Sequence, residues 1–341
     1  MTLQEEIFTQ PAVLVAALDQ NQVAVDETAR WMGSLDFNYV LAAARGTSDN
    51  AARYLQYLWG AKNRLNVALA APALFGPFQS PPRINGALTV GISQSGESPD
   101  LLSVLTESQK QGRPTLAITN KAGSPMARLA DRAIDIQAGP EEAVAATKTY
   151  TTQLLAIAML SASLADDSEM AEAFAGLSPA VAQVLRDAEQ VAPAVEAIAG
   201  QDRCVVVGRG FHHATSHEWA LKIAELAYLV AQPFSSADFR HGPVAMVEPG
   251  LAVLAVATTG PMFDDLVDLL IGVRSSGAVT VTITDDPRVP SDHRILIPSL
   301  PEWLSPIPAV VAAQLFSYQL ALARGVDPDH PRGLRKVTKT I

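Results

Sequence analysis

Short apolar runs alternate with stretches of helical periodicity along most of this chain. Residues 40–44 form one such run, closed by Arg45-Gly46-Thr47-Ser48 and followed by a helical pattern over 50–59. Residues 204–208 form another, closed by Arg209-Gly210 and followed by a helical pattern over 217–230. A second landmark also recurs: residues 87–92 lead into Ser93-Gln94-Ser95-Gly96, and 251–256 into Ala257-Thr258-Thr259-Gly260. The third is residues 115–119 before Asn120, against 280–284 before Asp285. Gly46 and Gly210 lie 164 residues apart, and Ser93 and Thr258, like Asn120 and Asp285, lie 165 apart. A shared offset at three landmarks predicts two copies of one α/β unit. Buried runs bounded by turns and alternating with helices read as parallel strands with crossover helices.

Between the copies, residues 166–201 read as a helical link, with a polar helix start at Asp166-Asp167-Ser168-Glu169 and a second start at Leu177-Ser178-Pro179. Residues 1–35 read as helical, with Pro11 at a helix start or kink. The boundaries are thus 1–35 for an N-terminal helical segment, 36–165 for the first domain, 166–200 for the link, 201–325 for the second domain and 326–341 for a C-terminal tail. Two charge-free runs, 149–165 and 304–323, approach the length of a membrane span. The first holds five Thr and Ser residues, and the second holds Pro306, Pro308, Gln314 and Gln319. Both are read as core helices, so no membrane partner is expected. The start of the chain has no basic or apolar leader, and the expected location is cytoplasmic.

Composition sharpens this picture in three ways. Hydrophobic residues make up 48% of 341, which supplies a core and excludes global disorder. The single cysteine, Cys204, excludes internal disulfides and multi-cysteine metal clusters. It begins an apolar run and reads as core. The net charge of −10 argues against a nucleic-acid coat, while leaving a local anion pocket open.

The candidate chemistry lies in the turns. Ser93-Gln94-Ser95-Gly96-Glu97-Ser98 joins a buried run to a helix near Pro99. Three hydroxyls and a glycine at a helix N-terminus, where backbone N–H groups are unpaired, suit a phosphate; helix capping by Ser98 is the alternative. Thr47 and Ser48 end the neighbouring run in the same way, and ligands of open α/β sheets bind at such strand ends. The second copy has fewer hydroxyls there and a proline, so it is read as scaffold. Lys222 and Glu225 share a helix face, as a functional pair or a solvated one. His241 sits in a Gly-Pro turn, a suitable place for a proton-transfer group. His212, His213 and His217 form an HHxxxH cluster, which is not read as a metal site.

Taken together, Arg45-Gly46-Thr47-Ser48, the 93–98 loop, Gly139-Pro140-Glu141 with Val144-Ala145-Ala146-Thr147-Lys148, Ala220-Leu221-Lys222 with Glu225, Phe239-Arg240-His241-Gly242-Pro243 and Asp329-His330-Pro331-Arg332-Gly333-Leu334-Arg335-Lys336 resemble the SIS (sugar isomerase) family. Within it, the chain resembles the isomerase part of glucosamine-6-phosphate synthase and SIS-type glucosamine-6-phosphate deaminases. The resemblance implies two tandem SIS domains, each a flavodoxin-like three-layer sandwich around a five-stranded parallel sheet. It implies that Thr47, Ser48, Ser93, Gln94, Ser95 and Ser98 hold a sugar phosphate and that Glu141 and Val144 line the pocket. Glu225 would move a proton between C1 and C2, and Lys222 would assist at the neighbouring oxygens. His241, supplied by the partner subunit of a homodimer, would open the sugar ring, and Lys336 would reach the open-chain carbonyl. No cofactor or metal is implied.

The sequence departs from the synthase pattern. Thr2 stands where the synthase has a cysteine nucleophile, so the chain is not expected to use glutamine. Ala146 and Arg335 also differ, while Ala145-Ala146-Thr147-Lys148, Ser235-Ser236-Ala237-Asp238 and the 333–338 segment are closer to the deaminases. The expected reaction is glucosamine-6-phosphate to fructose-6-phosphate and ammonia. The alternatives are a glutamine-independent synthase-type isomerase, a phosphosugar deglycase, and, from another class, a non-catalytic sugar-phosphate sensor.

Overall fold

The computed structural model describes residues 1–334 and 336. The chain begins with helix α1 (Leu3–Gly33), followed by β1 (Tyr39–Ala43), α2 (Thr47–Asn63), β2 (Val67–Leu69), β3 (Ala87–Ser93), α3 (Pro99–Lys110), β4 (Thr115–Thr119), α4 (Pro125–Leu129), β5 (Arg132–Asp135) and α5 (Lys148–Ala165). Three helices follow: α6 (Ser168–Ala173), α7 (Leu177–Arg186) and α8 (Ala192–Ile198). The second half holds β6 (Arg203–Gly208), α9 (His212–Ala227), β7 (Val230–Ser235), α10 (Ser236–Arg240), β8 (Ala252–Val256), α11 (Phe263–Ser275), β9 (Val279–Thr284), β10 (His293–Leu296) and α12 (Pro306–Ala323).

Two compact units result. One comprises residues 12–141 and 148–174 with Lys336; the other comprises 1–11, 142–147 and 175–334. The first unit contains a five-stranded parallel sheet in the order β2-β1-β3-β4-β5. The second contains a sheet in the order β7-β6-β8-β9-β10, also parallel throughout. The two orders are the same 2-1-3-4-5 arrangement, that of the flavodoxin-like doubly wound fold. The repeat in the sequence is therefore a repeat of topology.

The central strands read as continuous apolar runs because both faces of a parallel sheet are covered. All seven residues of β3 and all five of β8 are buried. In the first unit Leu41, Ala43, Ala87, Leu101 and Val104 pack together, and in the second Val205, Val207, Val253, Leu266 and Phe239 do so. Both charge-free stretches are core helices. α5 packs on α2, and Trp59 of α2 donates its indole N–H to the Ile157 carbonyl at 3.2 Å. α12 is long and apolar enough to cross a membrane by length and composition, but most of it is buried against α9, α7 and α8 of its own unit. Trp219 of α9 meets Phe316 of α12 edge to face, with centroids 5.3 Å apart. Cys204 is buried on β6, where desolvation pushes its thiol up to about 12.

Two local expectations are corrected. The helical pattern read over 217–230 is in fact α9 from His212 to Ala227. Tyr228 then turns left-handed at φ +52°, and Val230 opens the edge strand β7. Pro11 does not start its helix, since α1 runs through it. Proline cannot donate to the Ile7 carbonyl one turn back. The Gln10 side-chain amide donates to that carbonyl instead, at 3.0 Å. The stretch between the two sheets is helical, with Asp167 capping α6 through the N–H groups of Glu169 and Met170.

Candidate active site

In the first unit β1 and β3 lie side by side, with Ala43 opposite Gly91. Their carboxyl ends therefore present the Gly46–Ser48 turn and the 93–98 loop next to each other. Ser48, Ser93 and Ser95 are buried, while Thr47, Gln94 and Ser98 are partly exposed. The Ser93 hydroxyl accepts the Gly96 N–H at 3.1 Å, and the Ser95 hydroxyl accepts the Glu97 N–H at 3.3 Å. These two serines thus shape the loop, and each hydroxyl proton stays available to an anion. Ser98 occupies the N-cap position of α3 in extended conformation, but its side chain makes no capping hydrogen bond. The capping alternative is therefore absent from this structure, and the hydroxyl is left to the loop. Gly96 has φ +62°, and a Cβ there would lie 2.3 Å from Ser124 Oγ, so only glycine closes this turn.

One helix supports the cradle from below. Gln153 of α5 donates its side-chain amide to Ser48 Oγ at 3.0 Å and orients that hydroxyl. Its partner role was not legible in the sequence, because a buried glutamine in an apolar helix carries no spacing signal. At the base of α5, the fully buried Glu141 carboxylate accepts the Thr149 N–H at 3.1 Å and the Thr149 hydroxyl at 2.8 Å. It also accepts Lys336 Nζ at 2.6 Å. The structure thus brings together two predicted residues 195 positions apart. Of the remaining tail, Arg335 and residues 337–341 lie outside the described residues.

In the second unit α9 carries Lys222 and Glu225. Lys222 is 1% exposed, with Nζ 2.5 Å from Glu225 Oε2 and 3.4 Å from Glu218 Oε1. This is not a solvated pair. Glu218, also buried, was not singled out as a partner; its i, i+4 spacing to Lys222 was the available signal. Burial works against the Lys222 ammonium, but the two carboxylates outweigh it and hold its pKa above the ordinary lysine value. Lys222 is therefore a fixed cation at neutral pH. Glu225 remains 24% exposed, so one end of the triad reaches solvent.

His241 follows α10, is exposed, and leads into Gly242 at φ +135°. Val144 is half-buried in the loop before α5. The loop around it is held by Glu6 of α1, whose buried carboxylate accepts the Glu142 N–H at 2.6 Å.

The second repeat is built differently at the matching strand ends. His212 stands at the place of Ser48 and Thr258 at that of Ser93. The buried His212 ring has Nε2 2.7 Å from Thr258 Oγ1 and 2.9 Å from Ser305 Oγ. Burial lowers its pKa to about 4, so the ring is neutral and fills the position with an uncharged hydrogen-bond knot.

Residues 38–163 and 197–324 match the SIS domain family model. The chain belongs to the SIS domain family. Among similar proteins is the glutamine–fructose-6-phosphate aminotransferase (isomerizing) of Pyrococcus horikoshii, 31% identical over 339 residues. That alignment covers 97% of this chain and 56% of the relative, so the chain spans little more than half the length of the curated relatives it matches. A Silicibacter pomeroyi protein provisionally named a phosphosugar isomerase is 32% identical, with a TM-score of 0.88 over 96% of this chain and 100% of its own. The glucosamine-6-phosphate deaminase of Thermotoga maritima has a TM-score of 0.82 over both full lengths at 23% identity, a likeness of fold.

Proposed function

We propose that this SIS protein is a phosphosugar enzyme of the aldose–ketose isomerase type that converts glucosamine-6-phosphate and water to fructose-6-phosphate and ammonia. The observation that carries this reading is the α9 triad: a partly exposed carboxylate, Glu225, held by a buried lysine whose charge does not titrate near neutrality. Proton transfer between adjacent carbons needs one carboxylate that first removes and then returns a proton. In the proposed sequence the phosphate is anchored by Thr47, Ser48, Ser93, Gln94, Ser95 and Ser98, which supplies binding energy remote from the reacting carbons. His241, delivered by the partner subunit of a homodimer, moves the proton that opens the ring. Glu225 takes the C2 proton and returns it at C1, leaving an imine at C2. Water adds to that imine, and the C2–nitrogen bond breaks to release ammonia and leave the ketone. Lys222, as a permanent ammonium, stabilises negative charge on the sugar oxygens rather than acting as a nucleophile. Lys336 serves the open-chain carbonyl after leaving Glu141, and Glu141 and Val144 line the pocket.

The choice of deamination rests on the loop sequences at 145–148 and 235–238. The synthase direction with free ammonia is the second reading, supported by the aminotransferases among the relatives. The test is to incubate pure protein with glucosamine-6-phosphate and measure ammonia and fructose-6-phosphate. Equimolar release of both, lost in Glu225→Gln, is the expected result. Turnover only from fructose-6-phosphate and ammonia would establish the second reading. A melting temperature raised by sugar phosphate with no turnover in either direction would make the protein a sensor.

A further inference from the structure

The two repeats share more than their strand order. Arg45 follows β1 and Arg209 follows β6, 164 residues apart; Asp100 opens α3 and Asp265 opens α11, 165 residues apart. Each arginine is paired with the aspartate of its own repeat. Arg45 Nε lies 2.6 Å from Asp100 Oδ2, and Arg209 Nη1 lies 2.9 Å from Asp265 Oδ2. The same ion pair has thus been kept twice, each time joining the glycine turn after the first strand of the repeat to the start of the helix after its third.

What hangs on the pair differs between the repeats. In the first, Arg45 immediately precedes Gly46-Thr47-Ser48, and Asp100 lies two residues beyond Ser98. The buried Asp100 carboxylate therefore ties together the two segments that carry the hydroxyl cradle. In the second, Asp265 accepts the Ser236 hydroxyl and the Arg240 guanidinium as well, and its backbone carbonyl accepts Arg240 Nη2 at 2.7 Å. Ser236 opens α10 and Arg240 closes it, so both ends of this short helix are fastened to one aspartate. The next residue is His241, followed by a glycine at φ +135° that any other residue would strain.

We propose that Asp100 and Asp265 are matched positioning residues, the first setting the phosphate cradle through Arg45 and the second setting the His241 turn through Arg240. The proposal rests on the functional reading above for the roles of the cradle and of His241. The physical basis is that a charge-assisted bond to a carboxylate is stronger than a neutral contact, so it fixes the segments it joins more tightly.

Asp100 is buried and Asp265 is 24% exposed, whereas the arginine side chains are 49% exposed at Arg45 and 37% at Arg240, so Arg45→Met and Arg240→Met are the variants to make. The first probe is inorganic phosphate, titrated while the melting temperature is followed. Arg45→Met should weaken the apparent phosphate affinity on the order of tenfold, and raise KM for glucosamine-6-phosphate with kcat little changed. Arg240→Met should do the reverse, lowering kcat toward that of His241→Ala with KM unchanged. The His241 imidazole NMR signal, identified by its loss in His241→Ala, should shift and sharpen in Arg240→Met. Unchanged phosphate affinity in the first variant, or an unchanged His241 signal in the second, would overturn the proposal. Asp265→Asn, which keeps the side-chain shape, must reproduce the Arg240→Met result. Should the wild type turn over no amino-sugar phosphate at all, the functional reading falls, while phosphate affinity and the His241 signal still decide the positioning proposal.

Discussion

Lys222 illustrates how one side chain links stability to chemistry. It is buried between Glu218 and Glu225, so removing it withdraws from the core the positive charge that faces these two carboxylates. Lys222→Met should therefore cost about 3–5 kcal/mol of unfolding free energy. Denaturant titration of the purified variant checks this figure. Because the Lys222 pKa is raised, its contribution is fully present below the ordinary lysine value and is lost only as pH rises through the higher folded value. The lysine of the triad therefore does not titrate near pH 7. His212 works in the opposite sense. Its folded pKa is lowered to about 4 from 6.5, so the unfolded chain binds more protons between those values and stability falls as pH drops through that window. The loss should approach about 3 kcal/mol by pH 4. Urea unfolding at pH 7 and at pH 4.5 should show it in the wild type, and a smaller drop in His212→Gln.

At the scale of elements, the loop between β3 and α3 is the sensitive one. Gly96 has positive φ and no room for a Cβ beside Ser124, so Gly96→Ala must move the turn that presents Ser93, Ser95 and Ser98. We expect a cost of about 1–3 kcal/mol from backbone strain, together with loss of the phosphate-dependent rise in melting temperature. A melting scan with and without inorganic phosphate measures both. Preservation of the phosphate effect in a folded Gly96→Ala protein would remove the cradle from this loop. The helix beneath the cradle contributes through packing. Trp59→Phe keeps most of the aromatic volume of α2 but removes the indole donor to the Ile157 carbonyl of α5, which keeps its own helical bond, and should cost about 0.5–1.5 kcal/mol.

The whole molecule is a duplicated sheet whose copies have diverged. One copy keeps hydroxyls at its strand ends. The other replaces them with a neutral histidine knot and carries a charged triad on the helix after its first strand. If His241 serves the neighbouring chain, mixing Glu225→Gln and His241→Ala proteins regenerates one intact site in every mixed dimer. Random reassortment should then restore about a quarter of wild-type activity. Absence of recovery in verified mixed dimers would assign His241 to its own chain.

The duplication, the parallel sheets and the hydroxyl loop were all legible in the sequence. Each depends on local periodicity, turn residues and a constant offset, and these survive without knowledge of long-range contacts. The family followed from six motifs in order. What only the tertiary structure decided is which polar groups meet across distance. Ser48 takes its support from Gln153, Glu141 gathers Thr149 and Lys336, and His212 closes onto Ser305. The status of Lys222 was likewise settled by packing, since i, i+3 spacing fits a surface pair and a buried one equally well, and only the burial of α9 distinguishes them. The two arginine–aspartate staples lie between these cases. Their spacing is in the sequence, but the pairing became visible only when the sheet set the ends of its first and third strands side by side.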